Sequence, residues 1–212
     1  MTLVVRPGVL DDMGAVLDVG HRTWPATYGP LAGPDYVSMG LAKWWTADAT
    51  TPALRAGRVL VAEVDGEVVG MSATGPLDGR LVLWKLYVLP QAQGHGAGGA
   101  LLRAVLVSAA ERYDEIRVAY LDGNGHAASF YRHHGFVEIE RESGGTGIPD
   151  QVWMTRALVQ PTFVTSGAVQ PVSPQHQSDL QHPHDLQHPH DPEHQHDPEN
   201  DDSPHASEED PR

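Results

Sequence analysis

Leu86-Tyr87-Val88-Leu89-Pro90-Gln91-Ala92-Gln93-Gly94-His95-Gly96-Ala97-Gly98-Gly99-Ala100-Leu101-Leu102 is the stretch that decides how this chain folds. Its first residues close the apolar run Leu81 to Val88, which reads as a strand and is stopped by Pro90. Four glycines follow between Gly94 and Gly99. Leu101-Leu102, Val105-Leu106 and Ala109-Ala110 then recur at spacings of three and four, the period of a helix with one apolar face. The stretch is therefore a strand, a glycine loop and a helix that the loop opens. Glycines let the backbone turn with its amides aimed at one spot, and a helix N-terminus adds partial positive charge. Together these can cradle a phosphate or pyrophosphate. A tight turn that merely packs a helix against a strand would read the same way.

Three phosphate-binding patterns compete for the loop. A P-loop ends in Gly-Lys-Ser/Thr, whereas this loop ends Gly99-Ala100-Leu101 and fails that test. The dinucleotide fingerprint G-x-G-x-x-G is met literally by Gly94, Gly96 and Gly99. That fingerprint belongs on the first strand of a series of βαβ units. Here it stands mid-chain with one crossover left. The third pattern, Q/R-x-x-G-x-G/A, is met by Gln93-Gly94-His95-Gly96-Ala97-Gly98.

Reading outward, Val4-Val5-Arg6-Pro7 starts extended. Met13, Val16, Leu17 and Val19 follow two acids at helical spacing. A Pro/Gly-rich stretch from Pro25 to Pro34 comes next, and Pro34 opens a second helix to about Trp45. Arg58 to Val64 and Glu67 to Ala73 flank Asp65-Gly66, a strong hairpin signal. Beyond the glycine helix, Ile116 to Leu121 is a strand, Ala127 to Arg132 a short helix, and Phe136 to Glu140 and Val152 to Arg156 closing strands. The expected class is α/β (α+β), a mixed sheet with helices packed on it.

The chain has 212 residues, no Cys, 13 His and a formal net charge of −14. Without Cys there is no disulfide framework, thiolate metal site or cysteine nucleophile. The charge is unevenly placed. Residues 1–158 carry 13 Lys and Arg against 17 Asp and Glu, and residues 159–212 carry Arg212 against 11 acids. This acidic, Pro/His-rich tail is expected to be disordered, because it has too little apolar surface to offset the entropy of ordering it. Within it Asp179-Leu180-Gln181-His182-Pro183-His184 recurs from Asp185 to His190, with a degenerate copy from Asp191 to His196. Its His-x-His pairs could chelate a divalent metal weakly. Slippage of a short DNA repeat explains the same pattern with no metal role. No basic cluster points to nucleic acid. No run reaches the roughly 20 apolar residues of a membrane span, and the N-terminus lacks the marks of a signal peptide. A cytoplasmic protein is the expectation.

With Leu86-Tyr87-Val88 before it, the Gln93–Gly98 pattern resembles the acyl-CoA-binding motif of the GNAT superfamily of N-acetyltransferases. Asn124-x-x-Ala127-x-x-Phe130-Tyr131-x-x-x-Gly135-Phe136 resembles that family's second cofactor motif. The resemblance covers about Leu3 to Leu158. It implies a GNAT fold, a mostly antiparallel sheet with a splayed central strand pair and about four helices. It implies acetyl-CoA as acyl donor, with no metal required, and an acetyl transfer to an amine by direct attack. By resemblance Leu86, Tyr87 and Val88 pair with the pantetheine arm. Gln93, Gly94, His95, Gly96, Ala97, Gly98 and Gly99 hold the pyrophosphate. Asn124 and Ala127 meet the pantetheine arm and thiol end, and Tyr131 protonates the departing thiolate. The acceptor, a small-molecule amine or a peptide or protein amine, would meet Trp24 and Tyr28. Homodimers are common in the family. Many relatives carry a carboxylate base on the strand before the loop, where this chain has Trp84-Lys85. Glu63, Tyr120 and Asp122 are stand-ins, and the base is left open. That departure keeps a second reading alive, a catalytically idle acyl-CoA-binding regulatory module.

Overall fold

The strands come from the runs of β-branched and aliphatic residues, and the turns between them from glycine. Asp65 and Gly66, both at positive φ (50° and 90°), turn β2 (Val59–Val64) back as β3 (Glu67–Leu77). Asp78 and Gly79, at 48° and 76°, do the same between β3 and β4 (Arg80–Val88). The extended start is an edge strand, β1 (Leu3–Pro7), antiparallel to β2. The computed structural model describes residues 2–159, so the expectations for the tail lie outside the described residues.

The remaining elements are α1 (Met13–Trp44), α2 (Ala47–Arg55), α3 (Ala97–Ala109), β5 (Glu115–Leu121), α4 (Gly125–His133), β6 (Val137–Glu142) and β7 (Gln151–Ala157). Seven strands make one sheet in the order β1-β2-β3-β4-β5-β7-β6. Every neighbouring pair is antiparallel except β4 and β5, which run parallel through Leu81–Leu83 and Ile116–Val118. α1 and α2 bury Val16, Val19, Trp24, Tyr36, Trp44, Trp45 and Leu54 with Val59, Val61, Met71 and Ala73 of the sheet. On the other face α3 buries Leu101 against Ala62 and Val69, and Leu102 and Val105 against Leu81, Leu83 and Ile116.

The helical half differs from its sequence reading in two ways. The Pro/Gly-rich stretch is helical as far as Gly33, where φ 82° and ψ 175° break the axis. The second run opens at Pro34, as a first-turn proline signals. Interior prolines lose a hydrogen bond and strain a helix. Pro25 and Pro30 sit on its exposed side, however, while Trp24 on the other side is buried. Burial of the aromatic face outweighs the proline cost. The second difference is α2, which lies where no element was anticipated. Its cap is Thr46, whose side chain accepts from the Ala49 amide at 3.2 Å.

Two glycines let α1 hold its tryptophans closely. A Cβ on Gly20 would fall inside the Trp45 indole, and one on Gly40 would come within 2.6 Å of the Trp24 ring. Trp45 is 1% exposed and cannot swing away. Gly20→Ala is therefore expected to cost about 1–3 kcal/mol of stability through overpacking. A denaturant titration with an unchanged midpoint would contradict this contact.

Candidate functional site

The site begins with one extra residue. In β4, Leu83 pairs with Thr74 and Lys85 with Ala73, so Trp84 is bulged out of register. A bulge bends a strand and reverses which face its following residues take. Pairing with β5 stops at Leu83, the residue before the bulge. The rest of β4 splays from β5 while staying paired to β3. Lys85 and Tyr87 then face α1, whereas Leu86 and Val88 pack toward α3. Gly70 permits the β3–β4 approach, since a Cβ there would lie 2.9 Å from the Tyr87 carbonyl oxygen.

The splay opens a cleft of about 1000 Å³ that runs from the glycine loop to the aromatic side of α1. At one end Gly94 and Gly96 turn the backbone with φ 76° and 87°, and a Cβ on either would meet open space. The first hydrogen bond of α3 runs from the Ala100 amide to the Gly96 carbonyl at 2.9 Å. The amides of Ala97, Gly98 and Gly99 precede it, free for an anion at a helix N-terminus. Gln93 braces the loop by donating Nε2 to the Val88 carbonyl at 2.9 Å. Arg103, one turn into α3, lies against Gly99 and lines the same end.

The wall opposite is the start of α4. Asn124 caps that helix, its Oδ1 accepting from the Ala127 amide at 3.1 Å. This leaves its Nδ2 to donate elsewhere. Phe130 lies 3.6 Å from a Cβ position on Gly98, which ties α4 to the loop. Tyr131 is held edge-on between Phe130 and Phe136, with centroids at 5.4 and 5.5 Å. It is 7% exposed, lines the cleft, and its hydroxyl has no hydrogen-bond partner among the described residues. Burial, with a smaller contribution from Tyr28, pushes its pKa above the ordinary tyrosine value.

The deep end is aromatic. Trp24 packs on Tyr28 at 4.2 Å, on Tyr87 at 6.0 Å and on Tyr36 at 6.3 Å. The Tyr28 and Tyr87 hydroxyls share a hydrogen bond of 3.0 Å. Burial raises the pKa of both, so both keep their protons at neutral pH. Lys85 is half-buried here. Its Nζ donates to the Trp44 carbonyl and sits 4.1 Å over the Trp45 ring. Burial pulls its pKa down from 10.5 to about 8.

Leu86, Tyr87, Val88, Gln93, Gly94, Gly96, Gly98, Gly99, Asn124, Ala127, Tyr131, Trp24 and Tyr28 are thus brought to one cleft. Two others in the motif stand apart. His95 is exposed and its Nδ1 bonds the Gln93 carbonyl at 2.8 Å, while the Ala97 side chain is buried under the loop. Of the three stand-in bases, Tyr120 alone lines the cleft. Glu63 is taken up by Arg6, and Asp122 pairs with Arg141 at 3.0 Å. Residues that the sequence did not mark include Arg103 and Thr50. No described residue lining the cleft is Asp or Glu. Among the described residues there is no cluster of metal-ligating side chains, and no helix is long and apolar enough to cross a membrane.

A family model for the GNAT acetyltransferase domain matches residues 55–138, from before β2 into β6 and so across the splayed strand, the glycine loop and α4. An uncharacterized N-acetyltransferase of Mycobacterium tuberculosis is 34% identical over 134 residues, which span 60% of this chain and 84% of that protein. The chain belongs to the GNAT acetyltransferase family. The fold is found in this family's solved structures. The PaiA N-acetyltransferase of Thermoplasma acidophilum, in complex with coenzyme A, aligns with a TM-score of 0.65. The two are 18% identical, over 74% of this chain and 99% of that one. The ribosomal-protein-alanine N-acetyltransferase of Brucella melitensis aligns at 0.58 with 25% identity, over 73% of this chain and 99% of that one. Membership in the GNAT family makes acetyl transfer the general chemistry to read from this cleft.

Proposed function

We propose that this chain transfers the acetyl group of acetyl-CoA to an amine by direct attack, and that residues 1–158 carry the activity. The single observation that carries the reading is the cleft itself, where the loop amides, the splayed strand and Tyr131 converge. The amides of Ala97, Gly98 and Gly99 and the Arg103 guanidinium take the pyrophosphate end of the cofactor. The edge of Leu86 to Val88 that β5 leaves open and the Nδ2 of Asn124 take the amide-bearing arm. This lays the thioester beside Tyr131.

In the reaction the amine lone pair attacks the thioester carbonyl and a C–N bond forms. The C–S bond then breaks and sulfur leaves as a thiolate. Tyr131 donates its hydroxyl proton to that sulfur, the ammonium formed on the acceptor gives up a proton to water reaching the open cleft, and that water returns a proton to the Tyr131 phenolate. A phenol whose pKa is raised stays protonated over the working pH range, as a general acid must. The chain has no Cys, so no cysteinyl intermediate intervenes.

Direct attack needs both substrates in the cleft at once. Initial rates measured against acetyl-CoA at several fixed amine concentrations are expected to give intersecting double-reciprocal lines. Parallel lines would point to an acyl-enzyme and would contradict the mechanism.

A further inference from the structure

The cleft has an unusual charge balance. It holds two fixed cations at opposite ends, Arg103 beside the glycine loop and Lys85 beneath Trp45, and among the described residues no carboxylate lines it. Arg103 is exposed and stands where the cofactor's phosphates would lie. Lys85 has no such partner. Its ammonium has three donor hydrogens, and one goes to the Trp44 carbonyl. The groups around it are the Trp45 ring from the end of α1, Ala73 across the strand pair and Tyr87 along the same face. Burial holds the tyrosines Tyr28 and Tyr87 in their neutral forms. A half-buried ammonium without a counter-ion is costly to keep. Its pKa of about 8 still leaves it mostly charged at neutral pH.

We infer that the acceptor amine carries a carboxylate, and that Lys85 is the counter-ion that binds it. The inference rests on the acetyl-transfer reading and names its substrate class. One cation matches one carboxylate, whereas a dianionic phosphate would leave charge unbalanced in an aromatic pocket. A polyamine or aminoglycoside would bring further cations into a cleft with no acid to receive them. The aromatic walls Trp24, Tyr28 and Tyr36 suit an apolar or aromatic side chain on the same molecule. An aromatic amino acid is the simplest molecule with all three features.

The test separates binding from turnover. In the binding arm, the full chain saturated with CoA is titrated calorimetrically with N-acetylphenylalanine and with N-acetylphenethylamine, which differ by the carboxylate. The carboxylate ligand is expected to bind at least about tenfold more tightly. Lys85→Met is expected to remove that preference, and Lys85→Arg to retain most of it. The thermal midpoint of Lys85→Met is expected to be no lower than the parent's, which shows that lost binding is not lost folding. Equal binding of the two ligands, binding of neither, or a preference that survives Lys85→Met would overturn the inference. In the kinetic arm, phenylalanine, phenethylamine and spermidine are compared as acceptors. Phenylalanine is expected to have the lowest KM, and Lys85→Met to raise that KM by more than it lowers kcat. A collapse of kcat in Lys85→Met with KM unchanged would make Lys85 a base and overturn its role as counter-ion. A carboxylate preference in the binding arm with no acetylation of any amine would contradict the acetyl-transfer reading and leave the ligand class standing.

Discussion

Tyr131→Phe is expected to lower kcat by about 10²- to 10⁴-fold, the range over which a positioned general acid acts. The affinity for CoA should change little. The variant keeps the ring that Phe130 and Phe136 hold edge-on, so α4 and the wall of the cleft stay in place. What disappears is one hydroxyl, on a buried ring that lines the cleft, with no hydrogen-bond partner among the described residues. No buried partner is orphaned by its removal, and the stability cost is therefore small. The pH profile follows from the direction of the shift. Burial raises the pKa of Tyr131 above 10, so its proton is present at every pH below that value. The parent rate should accordingly rise with pH as the acceptor amine deprotonates, with no alkaline fall from Tyr131 below pH 10. Calorimetry with CoA and a thiol-release assay from pH 6 to 10 read both quantities. A variant with full kcat across that range would remove Tyr131 from the mechanism.

The second large effect is expected at Gly96. Its φ of 87° lies where L side chains are strained, and a β-branched residue there costs about 1–3 kcal/mol. A Cβ at this position meets no protein atom within 4 Å, and Gly96 lines the cleft. Gly96→Val thus acts twice, by straining the loop and by filling the cradle. The expected result is an acetyl-CoA Kd raised by about 5- to 150-fold, which is the same energy expressed as binding. Gly57 supplies the control. It also has positive φ, 65°, and open space around a Cβ, but it lies in the turn between α2 and β2, away from the cleft. Gly57→Val should lower the thermal midpoint and leave the Kd unchanged. Equal effects of the two variants on Kd would mean that a general loss of stability, not the cradle, governs the change in binding.

The contrast between these residues and Lys85 shows what was legible in the sequence. The glycine loop, the cap at Asn124 and the run to Tyr131 are local, and their spacing fixes their geometry within one strand–loop–helix or one helical turn. Arg103 was within reach by the same logic, since it lies four residues after Gly99 and so one turn above it. The bulge at Trp84 was not legible. It depends on how β4 registers against β3, and no property of Leu83-Trp84-Lys85 alone says that Lys85 turns toward α1. The passage of α1 through Pro25 and Pro30 was hidden for a similar reason. Local rules favour a break there, and only the sheet that receives Trp24 overrides them. α2 was obscured by Pro52, although its Thr46 cap is a recognisable start. The absence of acid in the cleft is a property of the whole lining, so it emerges only when all the walls are in place.

The reading of the chain as an idle acyl-CoA-binding module and its reading as a transferase agree on the cradle and differ on one observable. That observable is amine-dependent release of CoA thiol from acetyl-CoA by the full-length chain, followed with a thiol reagent across a panel of amino acids, peptides and diamines. Transfer predicts catalytic, multiple-turnover release with at least one amine, accompanied by the N-acetylated product and slowed about 10²- to 10⁴-fold by Tyr131→Phe. Saturable binding of acetyl-CoA with thiol release no faster than in the absence of amine, for every member of the panel, would contradict it.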